Sequence, residues 1–190
     1  MIRLIFGLGN TGKEYEWTRH NTGREAALYF AKKQGFGGFE FDKKSNTQII
    51  EGKVGKSKIL VALPETFMNK SGNAVGKLIK SKKNLPGLVV LHDDLDLPLG
   101  RFKISYGKNS GGHKGIESVM RALKTKNFVR IRIGVSPKKK PSQKEIIQFI
   151  LGKFKPSESE IMKKVFKKIA DALEIIATDS LEKAMSEFNK

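Results

Sequence analysis

The sequence predicts an α/β chain in which a mixed, partly parallel sheet carries helices on both faces. Three observations predict it. Residues 2–8 and 88–91 are short, nearly continuous apolar runs, the signature of strands buried on both faces. Strand-like runs alternate with stretches of helical periodicity along the chain. A length of 190 residues suits one compact α/β domain with an appended helical piece. A core of that size needs no covalent staples, and the chain has no cysteine to supply them.

The elements follow in order. Residues 2–8 make the first strand, which ends in a glycine-rich turn. Thr22 and Glu25 have capping-box spacing, and Ala26, Ala27, Phe30 and Ala31 form the apolar stripe of a helix that Gly35 stops. Residues 47–54 and 58–63 flank Gly55-Lys56-Ser57 as a hairpin would. After an irregular link over 64–69, Ser71 is placed to cap a helix that turns Val75, Leu78 and Ile79 inward. The strand over 88–91 ends in His92-Asp93-Asp94, and Pro98 and Gly100 punctuate the next turn. Residues 101–106 alternate, with Phe102, Ile104 and Tyr106 one way and Arg101, Lys103 and Ser105 the other. Ser110-Gly111-Gly112-His113 leads into a helix with Ile116, Val119, Met120 and Leu123 on one face. Residues 128–135 alternate again, Arg130 and Arg132 opposite Ile131, Ile133 and Val135. Lys138, Lys139 and Lys140, between prolines, break the pattern over 136–142. A short helix from about Gln143 follows. A longer one, boxed by Ser157 and Glu160, carries Ile161, Val165, Ile169, Leu173 and Ile176, and a last helix starts near Ser180.

Charge narrows the partners. The chain has 37 Lys and Arg against 19 Asp and Glu, a net +18. Such a field draws polyanions, nucleic acid first and an anionic membrane surface second. The strand-like start reads as having no secretory leader, and no apolar stretch approaches the roughly 18–20 residues of a membrane helix. With no cysteine, these features point to the cytoplasm.

Two nucleotide motifs are almost present in the first turn. Gly7, Gly9 and Gly12 fit a GxGxxG fingerprint, and residues 7–13 fit all but the last position of a phosphate-binding loop. That last position is Glu14, a carboxylate where phosphate charge should sit. Both loop types also start their helix at the glycines, whereas the helix signal here comes about ten residues later. ATP, GTP and nicotinamide or flavin cofactors are therefore not expected.

The chain has three histidines, His20, His92 and His113, each at the end or start of an element and beside polar neighbours. Their spacing is not that of a metal site, and no GxSxG elbow or cysteine offers a nucleophile. Hydrolysis by a base-activated water fits this inventory, with an imidazole as base and Asp93 as the carboxylate that orients it. Asp94 and Asp96 read as loop caps and solvated charge. Asn10, Asn21 and Asn69 each offer a donor and an acceptor for a peptide group or oxyanion, and the sequence does not choose among them.

GLGNTGKEYEWTRHNTG, PETFMNKSG, HDDLDLPLGRFK, SGGHKG and FVRIRIGV occur in this order and spacing. Together they make the chain resemble the bacterial-type peptidyl-tRNA hydrolases along essentially its whole length. The resemblance implies one domain over 1–190 built on a twisted mixed sheet, with a mobile basic loop at 136–143 and C-terminal helices over 144–190. It implies a cytoplasmic monomer without cofactor or metal that cleaves the ester between a peptide and the 3′-terminal ribose of tRNA. A non-catalytic RNA-binding relative, acting as a scaffold or splicing partner, is the alternative.

By the same resemblance His20 is the general base and Asp93 its orienting carboxylate. Asn10 and Asn69 hold the substrate's peptide part, with Tyr15 and Met68 lining the cleft. His113 lies at the cleft rim with Lys114 beside it. Arg101, Lys103, Arg130 and Arg132 face the tRNA, and Lys103 grips its phosphate end. Two positions depart from the family's usual pattern: Thr11 stands where proline is usual, and Lys114 where asparagine is usual. An ammonium can donate but not accept, and close to His20 it would disfavour a protonated imidazole.

Overall fold

The computed structural model describes residues 2–79 and 81–190. Its strands are β1 (Ile2–Gly7), β2 (Glu40–Asp42), β3 (Thr47–Val54), β4 (Ser57–Pro64), β5 (Leu88–Pro98), β6 (Phe102–Tyr106) and β7 (Val129–Ser136). Its helices are α1 (Thr22–Lys33), α2 (Ser71–Leu78), α3 (Lys114–Leu123), α4 (Ile146–Leu151), α5 (Pro156–Thr178) and α6 (Leu181–Phe188). The strands form one sheet in the order β2-β3-β4-β1-β5-β7-β6. β4, β1, β5 and β7 are mutually parallel, while β2 and β3 on one side and β6 on the other run antiparallel.

The apolar runs earn their central places. Along β1, Ile5 packs into the layer of α1 and α5, and Leu4 and Phe6 pack into the opposite layer with α2 and α3. A strand buried on both faces has no polar side to show, so continuous apolarity is what its position demands. On β7 the alternation divides as read: Val129, Ile131, Ile133 and Val135 join the α5 layer.

Some boundaries differ from the sequence reading. Thr22 opens α1 as a helical residue and its hydroxyl donates to Arg19 O at 2.6 Å, while Glu25 accepts from Trp17 N–H, so no capping box forms. Ser71 likewise sits inside α2, its hydroxyl donating to Met68 O. α5 starts at Pro156, with Glu158 accepting from Lys155 N–H at 2.8 Å, so the box lies ahead of Ser157. Its buried face takes Met162 in place of Ile161, which is 42% exposed. Tyr106 ends β6 half-exposed while Ser105 is buried. β5 runs on through His92-Asp93-Asp94 to Pro98, past the expected end at Leu91, because β7 continues to pair with it. β2 carried no pattern of its own and exists as an edge strand on β3.

Candidate active site

The site is assembled where three parallel strands end. β1 delivers the loop with Asn10, β4 the turn with Met68 and Asn69, and β5 carries His92 and Asp93. Loops at the carboxyl ends of neighbouring parallel strands converge above the sheet. Backbone hydrogen bonds fix the convergence: Leu8 N–H donates to Leu91 O at 3.0 Å and Arg24 N–H to Leu8 O at 2.8 Å. Gly23 lies so close to β5 that a Cβ there would stand 2.1 Å from Leu91 O. Only a glycine permits α1 to start against that strand.

That contact brings the 3₁₀ turn Arg19–Asn21 over Asp93. His20 Nδ1 lies 2.9 and 3.0 Å from the two Asp93 oxygens, and both groups are buried. Burial opposes a charged imidazole, but the Asp93 charge and hydrogen bond outweigh it and raise the His20 pKa above its ordinary 6.5. Burial also opposes the Asp93 charge, yet the two imidazoles His20 and His113 hold its carboxyl far below the usual range. His113 Nε2 lies 2.8 Å from Asp93 Oδ1. The His20 and His113 rings are 4.9 Å apart, and His92 meets His113 edge-on at 4.8 Å. Two histidines therefore share one carboxylate, and the third backs the His113 ring. A cleft of about 390 Å³ opens onto His20, His92, Asp93 and His113, walled opposite by Ile146, Ile147 and Ile150 of α4.

The asparagines are now separable. Asn21 spends both ends of its amide on Asn10, accepting from its backbone N–H at 2.8 Å and donating to its C=O at 2.9 Å. Asn21 is a brace. Asn10 Oδ1 accepts from Met68 N–H at 2.8 Å, so its NH₂ is the end that can donate to a carbonyl. Asn69 is exposed on the following turn, Met68 is buried under it, and Tyr15 is half-buried. Thr11, the replacement for proline, bonds through its hydroxyl to Glu65, which also pairs with Arg24. That pair of contacts ties the Asn10 loop to the end of β4.

Lys114 opens α3, 71% exposed, with Nζ 3.3 Å from Glu117. It borders the cleft but is not buried against His20. Arg130, on β7, is 2% exposed, and burial lowers its pKa. Arg132 is half-buried and pairs with Asp94 at 2.6 Å, so Asp94 has a charged partner beyond loop capping. Arg101 and Lys103 are exposed and share a groove of about 640 Å³ with Lys168, Lys190 and one acid, Glu187.

Sequence reasoning missed Arg19. Buried beside His20, its Nη1 donates to Gly152 O and Lys153 O at 3.1 and 3.0 Å, and its Nη2 pairs with Glu158 at 2.7 Å. Its guanidinium also covers the Phe149 ring at 4.3 Å. No local signal marks it, because every partner lies at least 130 positions away. A second groove, about 450 Å³ among Trp17, Tyr29, Phe36 and Phe166, has Glu25 as its sole acid and no histidine, so it lacks the chemistry of the cleft.

His20, Asp93 and His113 place three ligand-type atoms within 4.8 Å of one another. His113 Nδ1 already accepts from Gly115 N–H and Ile116 N–H. Its Nε2 must therefore keep the proton that a metal would displace, and the cluster reads as hydrogen-bond donors on a carboxylate.

A doubly covered α/β sheet with a carboxylate-bound imidazole at the strand ends has the arrangement that hydrolysis by an activated water requires. Comparison with known proteins agrees. A model of the peptidyl-tRNA hydrolase family matches residues 4–190. A peptidyl-tRNA hydrolase of Thermodesulfovibrio yellowstonii is 40% identical, covering 98% of both chains. One of Aquifex aeolicus is 38% identical over 100% of this chain and 97% of its own. The crystal structure of the Acinetobacter baumannii enzyme superposes with a TM-score of 0.91 at 30% identity, covering 99% of this chain and 94% of its own. The chain belongs to the peptidyl-tRNA hydrolase family.

Proposed function

We propose that this chain hydrolyses the ester joining a peptide, or an N-blocked amino acid, to the 3′-terminal ribose of tRNA. The observation that carries the reading is His20 Nδ1 held against both oxygens of buried Asp93 at the cleft. That bond commits Nδ1 as a donor and leaves Nε2 as the basic nitrogen. Nε2 takes a proton from water as the water oxygen attacks the ester carbonyl, and Asp93 steadies the imidazolium. The proton then goes to the departing ribose oxygen as the C–O bond breaks. Asn10 and Asn69 donate to the substrate's peptide group and the developing oxyanion, with Tyr15 and Met68 shaping the cleft.

Selectivity follows from the same amides. An unblocked aminoacyl-tRNA carries an ammonium in place of the peptide group, which leaves the Asn10 donor unpaired and loses affinity. Arg101, Lys103 and Arg132 take the phosphate backbone, read by shape more than by sequence. Lys140, which pairs with Asp96 at 2.6 Å, holds the basic 136–143 segment at the cleft edge. The enzyme acts as a monomer in the cytoplasm and uses no cofactor. Among the described residues no helix is long and apolar enough to cross a membrane. The test is to incubate the protein with N-acetylaminoacyl-tRNA and with its unblocked counterpart at low salt. Release of the blocked amino acid alone is expected. No release from either would leave a non-catalytic RNA-binding protein as the reading.

A further inference from the structure

The reading above treats His113 as a contact at the cleft rim. Its hydrogen bonds give it another task. His113 is the N-cap of α3, and its Nδ1 accepts from Gly115 N–H at 3.1 Å and Ile116 N–H at 3.3 Å. Both partners are donors, so Nδ1 carries no proton. The proton of the neutral ring then sits on Nε2, 2.8 Å from Asp93 Oδ1. Protonating Nδ1 would turn an N–H against two others and set a positive charge at the positive end of a helix.

The neighbours leave that tautomer undisturbed. His92 Nδ1 lies 2.7 Å from the Asp93 backbone carbonyl, so that nitrogen donates. Burial is the main cause that pushes the His92 pKa well below its ordinary 6.5. His92 is therefore a neutral wall against the His113 ring edge. The charged and titratable groups around His113 are Asp93, His20, His92 and the exposed, Glu117-paired Lys114.

We propose that His113 is a positioning residue: the first turn of α3 locks its tautomer, and its Nε2–H holds Asp93 Oδ1 so that the carboxylate meets His20 in one orientation. Asp93 then receives two imidazole donors on Oδ1, one from His20 and one from His113. The second donor also draws off part of the carboxylate's charge. Without it Asp93 would act on His20 alone and keep that base protonated to higher pH. The inference rests on the reading of His20 as the base.

Three variants separate the possible roles. In H113Q the side-chain amide can reach the Nε2 position and donate, but the cap on α3 is lost. In H113N the amide oxygen can keep the cap, but no donor reaches Asp93. With N-acetylaminoacyl-tRNA as substrate, H113A is expected to lose about tenfold or more in kcat, the scale for a partner that orients an active group. KM should hold and the acid limb of the pH profile should move up. H113Q should recover much of the kcat with a lower Tm, and H113N should keep the Tm and stay as slow as H113A. A raised KM with kcat retained in H113A, or recovery by H113N in place of H113Q, would overturn the proposal. An activity-independent check is the ¹⁵N spectrum of the wild-type imidazoles. In it His113 should show a bare Nδ1 and a protonated Nε2, the tautomer that its hydrogen bonds require. A His113 with its proton on Nδ1 and a bare Nε2 contradicts the lock even if the wild type proves to have no esterase activity.

Discussion

Asp93 shows how one residue sets several others. Its carboxylate raises the His20 pKa above 6.5 although burial alone would lower it. The base must be unprotonated to work, so kcat/KM should rise with pH through a midpoint above 6.5, measurable from the rate profile. In Asp93→Asn only the burial effect remains, so the midpoint should fall below that value while kcat drops. A midpoint unmoved by Asp93→Asn would separate the two residues in function. The stability sign runs the other way for the carboxylate itself. Its folded pKa is depressed, so its contribution is complete above the ordinary carboxyl pKa of 3.8 and fades as pH falls toward the folded value. Acid unfolding followed by circular dichroism should show wild type losing more stability than Asp93→Asn below about pH 4. His20, Asp93 and Asn10 were legible in the sequence as residue types at strand ends. The separation of Asn10 from Asn21 was not, because it depends on which amide end the Met68 backbone occupies.

At the scale of elements, two contacts join the base to the frame. Gly23 lets α1 begin against β5, and a Cβ there has nowhere to go but into Leu91 O. Gly23→Ala should therefore shift the His20 turn off Asp93, lowering kcat along with thermal stability. Arg19 holds that same turn to the stretch between α4 and α5 through two carbonyls, Glu158 and the Phe149 ring. Its loss takes the guanidinium from a half-buried carboxylate and from the Lys153 carbonyl, so Arg19→Ala should cost about 1–3 kcal/mol in denaturant unfolding. A loss below about 1 kcal/mol would mean the clamp is solvated in solution. The elements themselves were legible where position forces composition, as in β1 and β7. They were illegible where a neighbour decides: β5 lengthens because β7 continues beside it, and β2 exists because β3 offers an edge. The Thr22 and Ser71 hydroxyls turned back to the preceding 3₁₀ turns, a choice that spacing alone does not reveal.

For the whole molecule, the net charge of +18 announces a polyanionic partner but not where it binds. The fold gathers a candidate place, since β6, α5 and the chain after α6 set Arg101, Lys103, Lys168 and Lys190 around one groove. Arg130, an equal candidate in the sequence, is buried on β7, whereas Arg101 and Lys103 are exposed. Lys103→Ala should weaken tRNA binding and reduce the slope of log affinity against log salt by about one, as filter binding at several salt concentrations can show. An unchanged slope would remove Lys103 from the phosphate contacts. All of these expectations depend on His20 as the base that activates water. The most direct test compares wild type with His20→Ala in turnover of N-acetylaminoacyl-tRNA while tRNA affinity is measured in parallel. The predicted result is a loss of about a hundredfold or more in kcat with affinity unchanged. Equal turnover by the two proteins would place the base elsewhere and contradict the account.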